Sequence, residues 1–235
     1  MKLKYILFLS VLLMISLASC DKQTAKEQEQ PAIVDARETE TLEFSFNINK
    51  AVYLKTNFGE APQIAIWLEF ADSSFYKTVW VSHRAGKNDW VGKVECTVAL
   101  PSWDSRRKNE KSKNIITRII DAITGATIKE GKLQARVNVL PDKILRYYIE
   151  VNASGDYSAH YPYWSKSGFP DTEGNGQPSI IYSGLVDLKR SMIEQSRLIG
   201  HTNQFAAGAH IYDTIGTITT AKDLVQNIRV HKVEK

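Results

Sequence analysis

The residues with the clearest chemistry in this chain run Asp121-Ala122-Ile123-Thr124-Gly125-Ala126-Thr127. Gly125 can adopt a positive φ and turn the chain sharply, and Ala126 carries too little side chain to shield the hydroxyl that follows it. Thr127 then stands proud of the surface. Asp121 can accept hydrogen bonds from backbone N–H groups two or three residues on, which holds such a loop in one shape. A projecting hydroxyl on a shaped loop is what a transferase needs to build an ester on a protein side chain. The same residues also make an ordinary Thr-Gly turn between two structural elements, and the residues alone leave both readings open.

The segments around the motif must bring it to the surface. Ile115, Ile116, Ile119, Ile120 and Ile123 recur at helical spacing although β-branched residues favour strands, so this run is core-anchored in either state. Trp103 to Asn114 reads as a polar, basic loop holding Arg106, Arg107, Lys108, Lys111 and Lys113. Elsewhere the pattern is period-two. Leu42, Phe44, Phe46 and Ile48 share one face of a strand; Ile64 to Phe70 and Phe75 to Ser82 form a hairpin about Asp72-Ser73-Ser74; Leu133 to Val139 and Leu145 to Val151 form another about Pro141-Asp142. Residues 90–100 fit a helix or a strand equally, and Pro101 ends either. Extended structure returns at 179–188, 192–199 and 227–233, with a capped helical turn at Thr219 to Leu224. At least seven such segments separated by turn signals predict an all-β, immunoglobulin-like β-sandwich with short helical turns.

The N-terminus reads as an address. Lys2 and Lys4 precede an apolar run from Tyr5 to Leu17, and Leu17-Ala18-Ser19-Cys20 resembles a bacterial lipobox. The resemblance implies a lipoprotein signal peptide over 1–19, cleavage before Cys20, and acyl chains on Cys20 that anchor the protein to a lipid bilayer on the extracytoplasmic side, inner or outer membrane undecided. Residues 20–40 are polar and charged and read as a flexible tether, leaving 41–235 as the folded domain. Loss of Lys2 and Lys4 lowers the net charge from +4 to +2, and no basic stripe is interleaved with aromatics, so nucleic acid is not an expected partner.

Other chemistry-bearing residues carry blander readings. Cys96 lies in an apolar stretch and reads as a small core residue. His83, His160, His201, His210 and His231 show no metal-ligand spacing, so no metal is expected. His201 reads as the cap of a hairpin, and Asp171 with Glu173 reads as a solvated loop rather than a catalytic pair. Residues 152–178 lack a regular period but hold Tyr157, Tyr161, Tyr163, Trp164 and Phe169, and a connection that long is usually functional or disordered.

The pattern Asp, two free positions, Ser/Thr, Gly, Ala, Ser/Thr arises by chance in roughly one chain in a thousand of this length, so its occurrence here is informative. It resembles the acceptor motif of proteins that carry covalent FMN outside the cytoplasm, where a flavin transferase joins the flavin phosphate to the last hydroxyl. The resemblance implies FMN on Thr127, with Asp121, Thr124, Gly125 and Ala126 shaping the loop. Beside it, Tyr157, Tyr161 or Trp164 can stack on the ring if the long loop folds back, Arg106, Arg107 and Lys108 either meet the phosphate or form a solvated surface, and no catalytic set of side chains accompanies the motif. Together with Ile64 to Glu69, Lys77 to Trp80 and Leu100 to Trp103, the motif resembles a family of predicted periplasmic proteins similar to the immunoglobulin-like domain of flagellar hook-capping proteins, over roughly residues 42–152. Genes of that family often sit beside those of flavin transferases and membrane reductases. The resemblances imply a membrane-tethered electron carrier whose partners are a flavin transferase and a membrane redox protein. The competing expectation is a binding module that shows the 152–178 aromatics to a protein or glycan.

Overall fold

The computed structural model describes residues 40–111, 124–125 and 131–234. The signal peptide, the tether up to Thr39, the isoleucine run up to Ile123, the stretch 126–130 and Lys235 lie outside them. In chain order the elements are β1 (Glu40–Ile48), α1 (Lys50–Tyr53), β2 (Gln63–Phe70), β3 (Phe75–Ser82), α2 (His83–Lys87), α3 (Pro101–Lys111), β4 (Thr124–Gly125), β5 (Gly131–Val139), β6 (Ile144–Asn152), β7 (Ile180–Asp187), β8 (Met192–Ile193), β9 (Arg197–His201) and β10 (Val225–Val233).

Two sheets face each other, one ordered β10-β1-β5 and the other β4-β3-β2-β6-β7-β8, with β9 also on β7. Every pairing is antiparallel except the short parallel ladder of β3 with β4. The fold is therefore an all-β sandwich. Its core follows the period-two pattern: Leu42, Phe44, Phe46, Leu133, Val137 and Val139 of the small sheet meet Ile64, Ile66, Leu68, Leu145, Tyr147, Ile149 and Val151 of the large one, all buried. Phe44 and Tyr147 touch edge to face across the sheets at 5.8 Å between centroids. Each such side chain contributes about 1.5–3 kcal/mol through burial.

The β2–β3 hairpin forms as the sequence predicts. Ser73 takes a positive φ of 65°, and the Asp72 carboxylate accepts the Ser74 N–H at 2.9 Å and its hydroxyl at 2.6 Å, closing the turn. The second expected hairpin does not form. β5 pairs with β1, and β6 with β2 and β7, so Pro141-Asp142 carries the chain from one sheet to the other. Alternation sets which face of a strand is apolar but not which neighbour it pairs with; here the two apolar faces oppose one another across the core. Residues 192–199 likewise split into β8 and β9, and 3-10 turns occupy 215–217 and 221–223, the second without a side-chain cap.

Two further expectations are corrected. Residues 90–100 are neither helix nor strand but an irregular segment that buries Cys96, Val98, Ala99 and Leu100. The stretch expected as a basic loop is α3. Pro101 opens rather than ends an element: its fixed φ suits the first helical position, where its missing N–H has no intrahelical partner to lose. Together α3 and the 90–100 segment lay a third layer on the outer face of the large sheet, where Ala65, Trp67, Val81, Tyr148 and Ile181 join Leu100 and Trp103 in a second cluster.

Candidate functional site

The outer face of the large sheet sets buried polar side chains among the apolar ones of the second cluster, whereas the opposite face is apolar. Gln63, Trp67 and Glu69 of β2 and Tyr148, Glu150 and Asn152 of β6 all lie buried on it. Buried carboxylates need partners, and α3 supplies them. Glu150 is fully buried and accepts the N–H groups of Ser102 at 3.2 Å and Trp103 at 2.8 Å, closing the open end of α3, and the Ser179 hydroxyl at 2.7 Å. Burial pushes its carboxyl up to about 7 against the pull of those donors. Glu69 accepts the Trp67 indole N–H at 2.9 Å and Nη1 of Arg106 at 2.8 and 3.0 Å. Arg106 also lies over the Tyr148 ring, which stacks on Trp67 at 5.0 Å. Trp103 is buried and donates its indole N–H to Thr78 at 3.0 Å.

Two cavities open within this third layer. The first, of about 420 Å³, is lined by Lys87 of α2, Trp90, Cys96, and Trp103, Arg107 and Lys108 of α3. α2 also packs against β4, which pairs alongside the end of β3 with Thr124 opposite Val81 and Gly125 opposite Ser82. The motif's Thr-Gly pair is thus held beside an element of the cavity wall, extended in a ladder where the sequence predicts a turn. The second cavity, of about 330 Å³, is lined by Phe58, Gln63, Arg84, Val94 and, again, Trp90 and Cys96. Phe58 lies flat over Gly155 and Gly174, both at positive φ; a Cβ at either would sit 2.6 Å from the ring. Glu60 at the rim pairs with Arg84 at 3.2 Å and with Lys93.

Among the described residues four buried side-chain polar atoms lack a hydrogen-bond partner: Gln63 Oε1, Arg107 Nε, Asp156 Oδ2 and Ser196 Oγ. The first lines the second cavity and the second lines the first. One is an acceptor and the other a donor, in two spaces that share Trp90 and Cys96.

The segment holding both cavities is also where the chain matches known sequences. A family model described as predicted periplasmic protein, DUF2271, matches residues 43–161, just over half of the chain. The chain belongs to this family. It is a family of bacterial periplasmic proteins of unknown function, and its matched segment runs from β1 through both cavities and the Asp121 motif into the aromatic loop. No curated protein and no solved structure matches. Among the described residues no helix is long and apolar enough to cross a membrane.

Of the residues singled out in the sequence, Thr124 and Gly125 fall in β4, whereas Cys20, Asp121, Ala126 and Thr127 lie outside the described residues. Arg106, Arg107 and Lys108 of α3 each have a carboxylate: Arg106 on Glu69, Arg107 on Asp104 at 3.1 Å, and Lys108 on Asp104 at 2.5 Å. Arg107 also covers the Trp103 ring, and its Nε still lacks a partner. Tyr157 meets Tyr163 edge-on and Tyr161 packs against His160 and His201, while Trp164 is 59% exposed; none of the three lines either cavity.

Cys96 is buried as expected, and burial, with Glu173 and Asp171 nearby, raises its thiol far above its ordinary range, so it stays uncharged. Asp171 is not solvated: it is buried and accepts the Gly176 N–H at 2.8 Å, while Glu173 ties down Thr97 and Val98 at 2.8 and 3.1 Å. His201 is buried in β9 rather than capping a turn, with Nδ1 2.6 Å from the Thr202 carbonyl. Among the described residues no three His, Cys, Asp or Glu side chains converge as a metal site. Gln63, Glu69, Glu150 and Trp90 were not singled out by the sequence. The signal that could have found α3, whose first N–H groups Glu150 accepts, was the helix start at Pro101 with Asp104 in the first turn.

Proposed function

We propose that this periplasmic protein is a membrane-tethered electron carrier that holds FMN as a phosphoester on Thr127, anchored through acylated Cys20. The observation that carries the reading is the pairing of Thr124–Gly125 with the end of β3, beside the α2 wall of a cavity that contains an unpartnered Arg107 Nε–H. The residues present fit the group. A flavin phosphate is an acceptor and an anion; Arg107, Lys87 and Lys108 offer one unused donor and positive charge, and Trp90 offers a flat wall, with the buried Trp103 backing Arg107. The cavity lies in the size range of cofactor sites.

FMN, when bound, supplies one- and two-electron redox chemistry that no set of side chains here provides. The chain's own residues hold and shield it. The Glu150 and Glu69 contacts fix α3, and with it Trp103 and Arg107, against the sheet. The motif's resemblance to flavin-transferase acceptor sites favours a small tethered β-module that serves a membrane redox protein. Co-expression with a flavin transferase in an exporting host tests the reading: the purified protein is yellow and gains one FMN unit, and a colourless protein of unchanged mass refutes it.

A second reading rests on a separate observation. Phe169 is 72% exposed and Trp164 59% exposed on either side of the Trp164–Pro170 bridge, and Phe205 is exposed across the adjoining hollow. Such aromatics anchor contacts with a protein or glycan. On this reading, replacing Trp164 and Phe169 with Ser abolishes capture of that partner and leaves flavin content unchanged.

A further inference from the structure

We propose that the second cavity is a site for a flat ring bearing a cyclic imide edge, an N–H flanked by carbonyls, and that Gln63 is the residue that reads that edge. The proposal deepens the flavin reading and rests on it for the identity of the ring, since the isoalloxazine pyrimidine edge has this pattern.

Gln63 opens β2 and points to the outer face, where it is 3% exposed, and its carboxamide oxygen has no partner. Leaving a buried acceptor unmade costs roughly 1–3 kcal/mol, which a donor arriving with a ligand recovers. The neighbouring polar groups are already engaged. Glu60 holds Arg84 and Lys93, Glu173 holds Thr97 and Val98, the Ser154 hydroxyl sits on Asn152 at 2.7 Å, and Asn152 sits on Asn175 at 2.6 Å. Among the described residues that line this cavity, Gln63 carries the buried side-chain atom that the fold leaves without a partner.

The chemistry of a carboxamide decides what that partner is. Whichever way round its ends lie, it presents one donor beside one acceptor in a plane. The complement is a planar edge with an N–H next to a carbonyl, which makes two parallel hydrogen bonds. A ligand with acceptors alone leaves the orphan unsatisfied. The walls agree with a flat, largely apolar body. The Phe58 ring is backed by Gly155 and Gly174, Trp90 and Val94 border the space, and the charges at the rim are paired. Trp90 and Cys96 line the first cavity as well, so a ring in the second lies next to the space beside Arg107 in the first.

The test uses the full mature chain carrying Thr127→Val, made without flavin transferase and solubilised in detergent, so that covalent attachment cannot contribute. Riboflavin and N3-methylriboflavin, in which the imide N–H is blocked, are titrated against it, and flavin fluorescence is followed. The proposal predicts saturable quenching by riboflavin, at least tenfold weaker binding of the N3-methyl compound, and a similar loss for riboflavin with Gln63→Leu. Tenfold corresponds to about 1.4 kcal/mol, the scale of one hydrogen bond. Removing an orphan does not endanger folding, so Gln63→Leu keeps or raises the melting temperature, and the N3-methyl comparison needs no Gln63 substitution at all. Equal binding of both flavins, or no riboflavin binding, overturns the proposal. Because attachment to Thr127 is measured separately by mass, a chain that gains FMN yet fails this titration refutes the site alone, and one that binds riboflavin but never gains mass refutes the carrier alone.

Discussion

Replacing Glu150 with Gln changes how the stability of the protein depends on pH. Glu150 is fully buried, and its carboxyl is pushed from an ordinary 4.5 up to about 7. Below pH 4.5 the folded and unfolded chains both hold the proton, and the group's contribution is fully present. As pH rises from there towards 7 the unfolded chain has released its proton while the folded chain keeps it, so stability falls by up to about 1.4 kcal/mol per pH unit. Across the window the loss is roughly 3 kcal/mol, and above it the dependence is flat. Asp156, buried and likewise pushed up to about 7, adds a slope of the same sign.

Glutamine resembles the protonated acid: its carbonyl at the Oε2 position keeps the shorter Trp103 N–H bond, and its amide at the Oε1 position donates to the Ser179 hydroxyl in place of the longer Ser102 contact. In urea unfolding followed by tryptophan fluorescence, Glu150→Gln therefore lies within about 1 kcal/mol of the wild type near pH 4.5 and is the more stable by roughly 3 kcal/mol near pH 7.5. A variant with the same pH slope as the wild type refutes the reasoning. So does a wild type that gains stability between those values.

Arg106→Ala strands Glu69, whose side chain is 1% exposed, and lowers stability by about 3 kcal/mol in the same assay; Glu69→Gln made in that background restores part of it because no buried charge is left unpaired. Cys96 resists alkylation in the native protein at about pH 8 and reacts on unfolding, since its thiol is buried and held uncharged; peptide mass spectrometry that finds native labelling contradicts this. Cys20→Ser moves the protein from the membrane to the soluble extracytoplasmic fraction, and unchanged fractionation contradicts the lipid anchor.

The apolar half of the fold was legible in the sequence and the polar half was not. Leu42, Phe44, Phe46, Ile64, Ile66 and Leu68 announce their faces because each alternates with polar residues along a strand. The same rule assigns Gln63, Glu69 and Glu150 to solvent, and there it fails: a third layer covers them, made of the 90–100 segment with its buried Cys96, Val98, Ala99 and Leu100 and of a helix held by the Arg106–Glu69 ion pair, N–H bonds to Glu150 and the Trp103 indole. Pro101, Asp104 and the basic residues after them carried that information as a helix start, but a proline after an apolar run reads just as readily as a stop. Strand pairing escaped for a different reason. Pro141-Asp142 has the chemistry of a hairpin turn, yet β5 lies between β1 and solvent while β6 sits between β2 and β7, and local residues do not encode that crossing. The cavities are a product of tertiary packing: Gln63 and Trp90 lie 27 positions apart in the chain and meet only when the 90–100 segment folds over β2.

The central claim, covalent FMN on this chain, is tested most directly by tryptic mapping after co-expression with a flavin transferase. Cleavage after Arg118 and Lys129 isolates Ile119–Lys129, which contains both motif threonines. The account predicts that this peptide is heavier by FMN less one water, with fragment ions placing the added mass on Thr127, that Thr124→Val keeps it, and that Thr127→Val removes it. An unmodified Ile119–Lys129 from cells in which the transferase modifies a known acceptor contradicts the account.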